Sequence, residues 1–168
     1  MRNKPPTTEI DRSTWGRGPW SNEPDRVEFE HAGLPCILRR HALGHWCGYA
    51  AVPPGHPLHG RDYNDFNLEV HGGLTYANRC EGDVCHEAKP GKPRNVWWFG
   101  FDCAHCWDMS PGVEALLTSQ RGGFTPHPLE ELKHYRSLAY VRRECEQLAE
   151  QLAAWPTLPS EPSISSEP

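Results

Sequence analysis

The 168-residue chain lacks any apolar run of the length that a membrane helix needs, and Met1–Pro6 lead into no apolar signal core. It also lacks a surplus of positive charge, because its formal net charge is −5. That balance argues against a broadly basic nucleic-acid coat, so we expect no membrane span and no direct contact with nucleic acid. The seven cysteines are an odd number without a signal core, which favours free thiols or metal over a disulfide framework.

Several familiar signatures of nucleotide-binding and hydrolytic enzymes are also missing. The chain contains no Walker A lysine loop, no dinucleotide-binding glycine fingerprint after a strand, no Gly-x-Ser-x-Gly elbow and no His-Glu-x-x-His helix. The chemistry must therefore be inferred from clusters of residues and not from a single motif.

Composition divides the chain into three parts. Residues 1–20 are polar and irregular and predict a flexible arm, unless Trp15 and Trp20 dock on the body of the protein. Residues 21–155 have the composition of one folded domain. Residues 156–168 are mostly Pro, Ser and Glu and predict a disordered tail.

The domain reads as a meander of strands followed by a helix. Alternating or apolar runs between Gly-bearing turns predict strands at 26–30, 34–40, 45–52, 67–76 and 96–101, with long loops after residue 52 and at 77–95. Apolar residues at spacings of three and four predict a long helix over 138–155. We therefore expect an α+β fold, with a small, mostly antiparallel sheet of about five strands and the C-terminal helix packed on one face.

Histidines and carboxylates collect near the ends of two of these strands. His71 precedes two glycines, while Asp102 and His105 follow the aromatic strand. In a catalytic site His71 or His105 is the general base, and Asp102 is its orienting partner or a metal ligand. In the structural alternative, Asp102 holds a buried histidine by an internal hydrogen bond. The candidate catalytic residues are His71, Asp102, His105, Asp108 and His56.

The candidate ligand-binding residues suit an anion. The amides of Gly72 and Gly73 can approach a phosphate closely, Arg61 can bind one with two donors, and Tyr63 can stack on a ring. A nucleotide-like or other phosphorylated small molecule is the expected ligand. The protein either hydrolyses it or sequesters it without turnover.

The sequence leaves metal binding open. Cys80, Cys85, Cys103 and Cys106 form two close pairs of the kind that holds structural zinc. Alternatively, His71, Asp102 and His105 form a three-ligand site for zinc or another divalent cation, with one position open for water. The leading expectation is that no metal is bound.

The tryptophans suggest a non-enzymatic alternative. Seven tryptophans and a negative net charge suit a protein that inhibits a host factor through its surface. An exposed patch of Trp15, Trp20, Trp46 or Trp107, rimmed by acidic residues, is the feature that this alternative requires.

Three segments carry a resemblance to a family of proteins encoded by tailed bacteriophages and prophages. They are Trp46–Tyr49 with the following Val-Pro and Gly-His-Pro, Val70–Tyr76, and Trp97–His105 with Asp108; Tyr140, Val141 and Glu144 match near the end. The resemblance covers roughly residues 20–155 and implies a phage-encoded accessory protein in the host cytosol. It includes Cys103 but not the other three cysteines of the predicted zinc site, and it implies no particular activity.

Overall fold

The computed structural model describes residues 9–120 and 133–156. Within them, five strands form one antiparallel sheet in the order β1-β2-β3-β5-β4, which confirms the predicted α+β class. The elements are β1 (Arg26–His31), β2 (Leu34–Arg40), β3 (Trp46–Val52), β4 (Tyr76–Arg79), β5 (Trp97–Asp102), α1 (Pro111–Gln120) and α2 (Leu138–Ala153). Neither helix of this described part has the length and apolarity to cross a membrane.

Helix α2 packs on one face of the sheet, as its apolar stripe predicts. Ser137 caps its first turn by accepting a hydrogen bond from the backbone N–H of Tyr140. The stripe packs against inward-facing side chains of β2, β3 and β5, and its central residues Val141, Cys145, Leu148 and Leu152 are fully buried. The helix ends at Ala153, two residues before the predicted end.

The opposite face of the sheet is covered by the segment predicted as the second long loop. Val84 of this segment, and Val96 directly after it, pack on Ile37 and Trp98, so both faces of the inner strands are buried. A disulfide joins Cys80 to Cys85 at the tip of this segment. The expectation of free thiols is therefore wrong for this pair, whereas the other five cysteines are free.

The predicted strand at 67–76 is wrong. Residues 67–75 are irregular, and β4 (Tyr76–Arg79) begins where the predicted strand was to end. Gly72 and Gly73 explain the difference, because both have a positive φ (+66° and +84°) that reverses the chain instead of extending it. The prediction for the aromatic strand is confirmed within one residue, with β5 lying between β3 and β4.

Helix α1 was not predicted, because Ser-Pro-Gly at 110–112 looks like a chain break. In the structure Pro111 is the first helical residue, a position where no backbone N–H is needed. The proline therefore starts a helix instead of breaking the chain.

The N-terminal segment docks on the body from residue 9 onward. Trp15 and Trp20 are both buried, and the Trp20 ring meets Tyr135 edge-on at 5.1 Å between centroids. Of the two outcomes expected for this arm, the structure shows the one in which Trp15 and Trp20 dock on the body of the protein. Residues 1–8, and the predicted disordered tail from residue 157 onward, lie outside the described residues.

A buried ionic network joins this segment to the sheet and to α2. The Arg40 guanidinium, whose side chain is fully buried, donates to Glu23 Oε2 at 2.8 Å and to Asp25 Oδ1 at 3.0 Å. Glu23 also accepts hydrogen bonds from the Tyr135 hydroxyl at 2.5 Å and from the Leu138 N–H at 2.7 Å. Burial opposes ionisation of Glu23, but these bonds outweigh it and hold the pKa of Glu23 below its ordinary value.

His45 predicts a specific acid sensitivity of the fold. Its ring is buried and stacks on His41, and its Nδ1 has no hydrogen-bond partner among the described residues. Burial, with the added repulsion of His41, lowers the pKa of His45 from 6.5 to about 4 despite the opposing fields of Asp102 and Asp108. Between pH 6.5 and pH 4 the unfolded chain therefore binds a proton at His45 that the folded chain does not.

We expect the free energy of unfolding to fall by up to about 3 kcal/mol across that window. Denaturant titrations at several pH values measure this loss. His45→Gln removes most of it, whereas the same change at the exposed His134 leaves it in place. An equal acid sensitivity in wild type and His45→Gln would contradict the prediction.

Candidate functional site

Asp108 is the centre of a buried polar cluster in the turn that follows β5. Its side chain is fully buried, and its Oδ2 accepts from His71 Nε2 at 2.8 Å and from His105 Nδ1 at 3.1 Å. Its other oxygen, Oδ1, accepts from Arg136 Nε at 2.8 Å. Burial opposes ionisation, but the bonds from Arg136, His71 and His105 together keep the pKa of Asp108 below its ordinary value. The cluster therefore contains a buried, ionised carboxylate.

His71 ties this carboxylate to helix α2. The ring Nδ1 lies 2.9 Å from the Tyr140 hydroxyl, while Nε2 faces Asp108. The backbone N–H of His71 donates to Glu144 Oε2 at 2.8 Å. Both ring nitrogens thus have partners, and the loop that carries His71 is held against the first turns of the helix.

His105 occupies the more exposed side of the cluster. Its ring stacks on Trp107, with 4.9 Å between centroids and 5° between planes. On another side it lies against Gly72, where a Cβ atom would come within 2.0 Å of His105 Cε1. Trp107 is 48% exposed, so the cluster borders an indole that is available to a ligand.

The structure brings together three of the five predicted catalytic residues and excludes two. Asp102 accepts from the Thr75 hydroxyl and the Ala104 N–H, and it stands opposite Cys47 in the sheet, on the face away from α2. The prediction that Asp102 orients a histidine is therefore wrong, because Asp108 occupies that position.

His56 also lies outside the cluster. Its Nε2 donates to the Leu152 carbonyl at 2.8 Å, near the end of α2. Tyr140 is twelve residues earlier, which places His56 about 18 Å along the helix from the cluster. Its predicted catalytic role is not supported by this position.

The predicted anion-binding residues do not assemble either. The N–H of Gly73 donates to the Val70 carbonyl at 2.9 Å, so it is not available to an anion as predicted. Arg61 pairs with Asp65 at the surface, at 3.2 Å, beside the short 3-10 helix that contains Tyr63. The Arg61 carbonyl accepts from the Trp97 indole at 3.0 Å, which places this loop at the opposite end of β5 from Asp108.

Of the two predicted metal sites, only the histidine site has a counterpart. One ligand atom each from His71, His105 and Asp108 lie within 4.8 Å of one another, so the group could hold a metal ion. Asp108 thus replaces the predicted Asp102. The four-cysteine zinc site is wrong, because Cys80 and Cys85 form the disulfide, Cys103 is buried in the core and Cys106 is exposed.

The exposed tryptophan patch is largely absent. Trp15, Trp20 and Trp46 are buried, and Trp107 and Leu116 are the large apolar side chains exposed within residues 9–120 and 133–156. A broad aromatic surface for a host protein is therefore not formed by these side chains.

The sequence prediction missed the contribution of the segment that begins α2. Arg136, Tyr140 and Glu144 all contact the cluster, although the helix was assigned only a packing role. Tyr140 and Glu144 each precede a member of the apolar stripe and are four residues apart, so they share one edge of the helix. That spacing in the sequence indicates that Tyr140 and Glu144 face the same side of the helix, and it could have assigned both residues to the site.

Comparison with protein-family models, with curated proteins and with solved structures finds no match to this chain.

Proposed function

We propose that the protein binds an anionic, ring-bearing small molecule of the nucleotide type beside the Asp108 cluster and hydrolyses it. The observation that carries this proposal is the convergence of two imidazoles and a guanidinium on one buried carboxylate, next to an exposed indole. A site built in this way offers donors, positive charge and a stacking surface at one place.

Each group has a separate task. Arg136 uses Nε to hold Asp108, and its side chain is 23% exposed, so its terminal nitrogens are the donors proposed for a phosphate. One face of Trp107 covers His105, and the indole is exposed enough to stack on a base. His105, on the more exposed side of the cluster, is the base proposed for an attacking water, and Asp108 orients its ring through His105 Nδ1. His71 holds Asp108 in place from the buried side. If the resemblance to phage proteins holds, the ligand is a nucleotide of the host cytosol.

Turnover against a panel of nucleoside mono-, di-, tri- and cyclic phosphates tests the proposal, with released products separated by chromatography. We expect His105→Ala to lower turnover by about 10²–10⁴-fold, the usual contribution of acid–base groups. Trp107→Ala removes an exposed side chain, so it should weaken binding by about tenfold or more and leave stability unchanged.

His56→Ala is the matched control, because this histidine has a hydrogen-bond partner elsewhere on α2. Binding by wild type without turnover would replace hydrolysis with sequestration. Neither binding nor turnover for any compound of the panel would refute the proposal.

A further inference from the structure

Asp108 Oδ2 and the two imidazole nitrogens that face it are arranged like the inner ligands of a metal ion. His71 Nε2 and His105 Nδ1 lie 2.8 and 3.1 Å from this oxygen. Two ligands bound tetrahedrally at zinc distances are about 3.3 Å apart. An ion therefore requires these two contacts to open by a few tenths of an ångström, and the separation of the two imidazole nitrogens, which is at most 4.8 Å, to adjust to the same value.

The groups around this trio match the outer contacts of a metal site. The ring nitrogen of a ligating histidine that faces away from the metal usually has a fixed partner, and here His71 Nδ1 lies 2.9 Å from the Tyr140 hydroxyl. A ligating carboxylate is usually held through its second oxygen, and Arg136 binds Asp108 Oδ1 at 2.8 Å. Both outer contacts leave the three inner atoms facing one another, and Asp108 Oδ2 also accepts from the His105 backbone N–H at 3.1 Å.

Burial and charge are also compatible with a cation. The His71 side chain is 5% exposed, that of Asp108 is fully buried and that of His105 is 20% exposed, so water reaches the trio only from the His105 side. The positive charge of Arg136 is opposed by two carboxylates, Asp108 and Glu144. Neutral imidazoles need only place their proton on the other ring nitrogen to bind, so no net ionisation is required.

We propose that His71 Nε2, His105 Nδ1 and Asp108 Oδ2 bind one divalent cation of the zinc type. Three protein ligands leave a fourth position for water, which is the arrangement of a catalytic and not a structural zinc site. A bound cation would take over the base's task, because it would lower the pKa of its water, which would then lose its proton to solvent on the exposed His105 side. His105 would then act as a ligand and not as the base. This inference builds on the proposed function, which uses the same cluster.

Zinc titration of metal-stripped protein in competition with a chromogenic chelator tests the inference, with cobalt(II) absorption as a report of the ligands. We expect one ion per chain in wild type. Asp108→Asn should weaken affinity by at least about 100-fold, and Tyr140→Phe, which removes only a hydroxyl group, by about tenfold. Circular dichroism establishes that each variant is folded.

Asp102→Asn and His56→Ala are matched controls, because they change the same residue types outside the trio and should retain the ion. The controls also account for weak binding by the ten histidines of the chain. No stoichiometric ion in wild type, or an unchanged affinity in both Asp108→Asn and Tyr140→Phe, would overturn the inference.

The two proposals fail separately. Ion binding is measured without substrate, so it stands even if no nucleotide is hydrolysed. Turnover by chelator-treated, ion-free protein would overturn the role of the cation in hydrolysis and leave hydrolysis itself in place.

Discussion

Glu23→Ala is expected to lower the free energy of unfolding by about 3–5 kcal/mol, the range found when one partner of a buried ion pair is removed. Glu23 bonds to Arg40, Tyr135 and the N–H of Leu138, and the Arg40 side chain is fully buried. The substitution leaves these donors short of an acceptor in a place that water reaches poorly. It also removes the contact that joins the N-terminal segment to the start of α2.

Denaturant unfolding at pH 7 measures this loss, and Asp65→Ala is the matched control. Asp65 forms an exposed pair with Arg61, at 3.2 Å, with both side chains near half exposed. Such a pair contributes no more than about 0.5 kcal/mol. A loss below about 1 kcal/mol for Glu23→Ala would show that the network contributes little in solution.

Gly72→Ala is expected to weaken ion and ligand binding, whereas Gly73→Ala should retain both. Both glycines have a positive φ, so alanine costs about 1–2 kcal/mol of stability at either position. Only at Gly72 does the new Cβ meet a functional group, because it would lie 2.0 Å from Cε1 and 2.1 Å from Nε2 of His105. At Gly73 nothing lies within 4 Å. The pair of variants therefore separates backbone strain from displacement of His105.

We expect Gly72→Ala to weaken zinc affinity by at least about tenfold relative to Gly73→Ala, since a shifted His105 no longer faces Asp108 Oδ2. The competitive zinc titration measures the difference, and denaturant unfolding establishes that both variants lose similar stability. Equal zinc affinity in the two variants would mean that His105 is not a ligand.

The two results together would define what holds the site in place. Glu23 lies at the junction where α2 begins, and α2 carries Tyr140 and Glu144 to the cluster. Gly72 allows the loop that carries His71 to approach His105. The site is therefore built from three separate parts of the chain, which meet only when the helix docks on the sheet.

Local patterns were enough to predict most of the architecture. The stripe through Val141, Cys145 and Leu148 determines which face of α2 is buried, because helical periodicity depends on neighbours three and four residues apart. Strands β1, β2, β3 and β5 were predicted close to their observed bounds for the same local reason. His71, His105 and Asp108 were also identified from residue type and position near strand ends.

What only the tertiary structure decided is which of these residues meet. Asp102 ends the aromatic strand and Asp108 follows it, and the choice between them depends on the register of β5 against β3 and on the turn that follows. Tyr140 reaches His71 across 69 positions of sequence, and no periodic pattern encodes such a contact. The sequence by itself determined the elements and the candidate residues, because these depend on neighbours along the chain. Docking of α2 on the sheet decided the site, because its atoms come from distant segments.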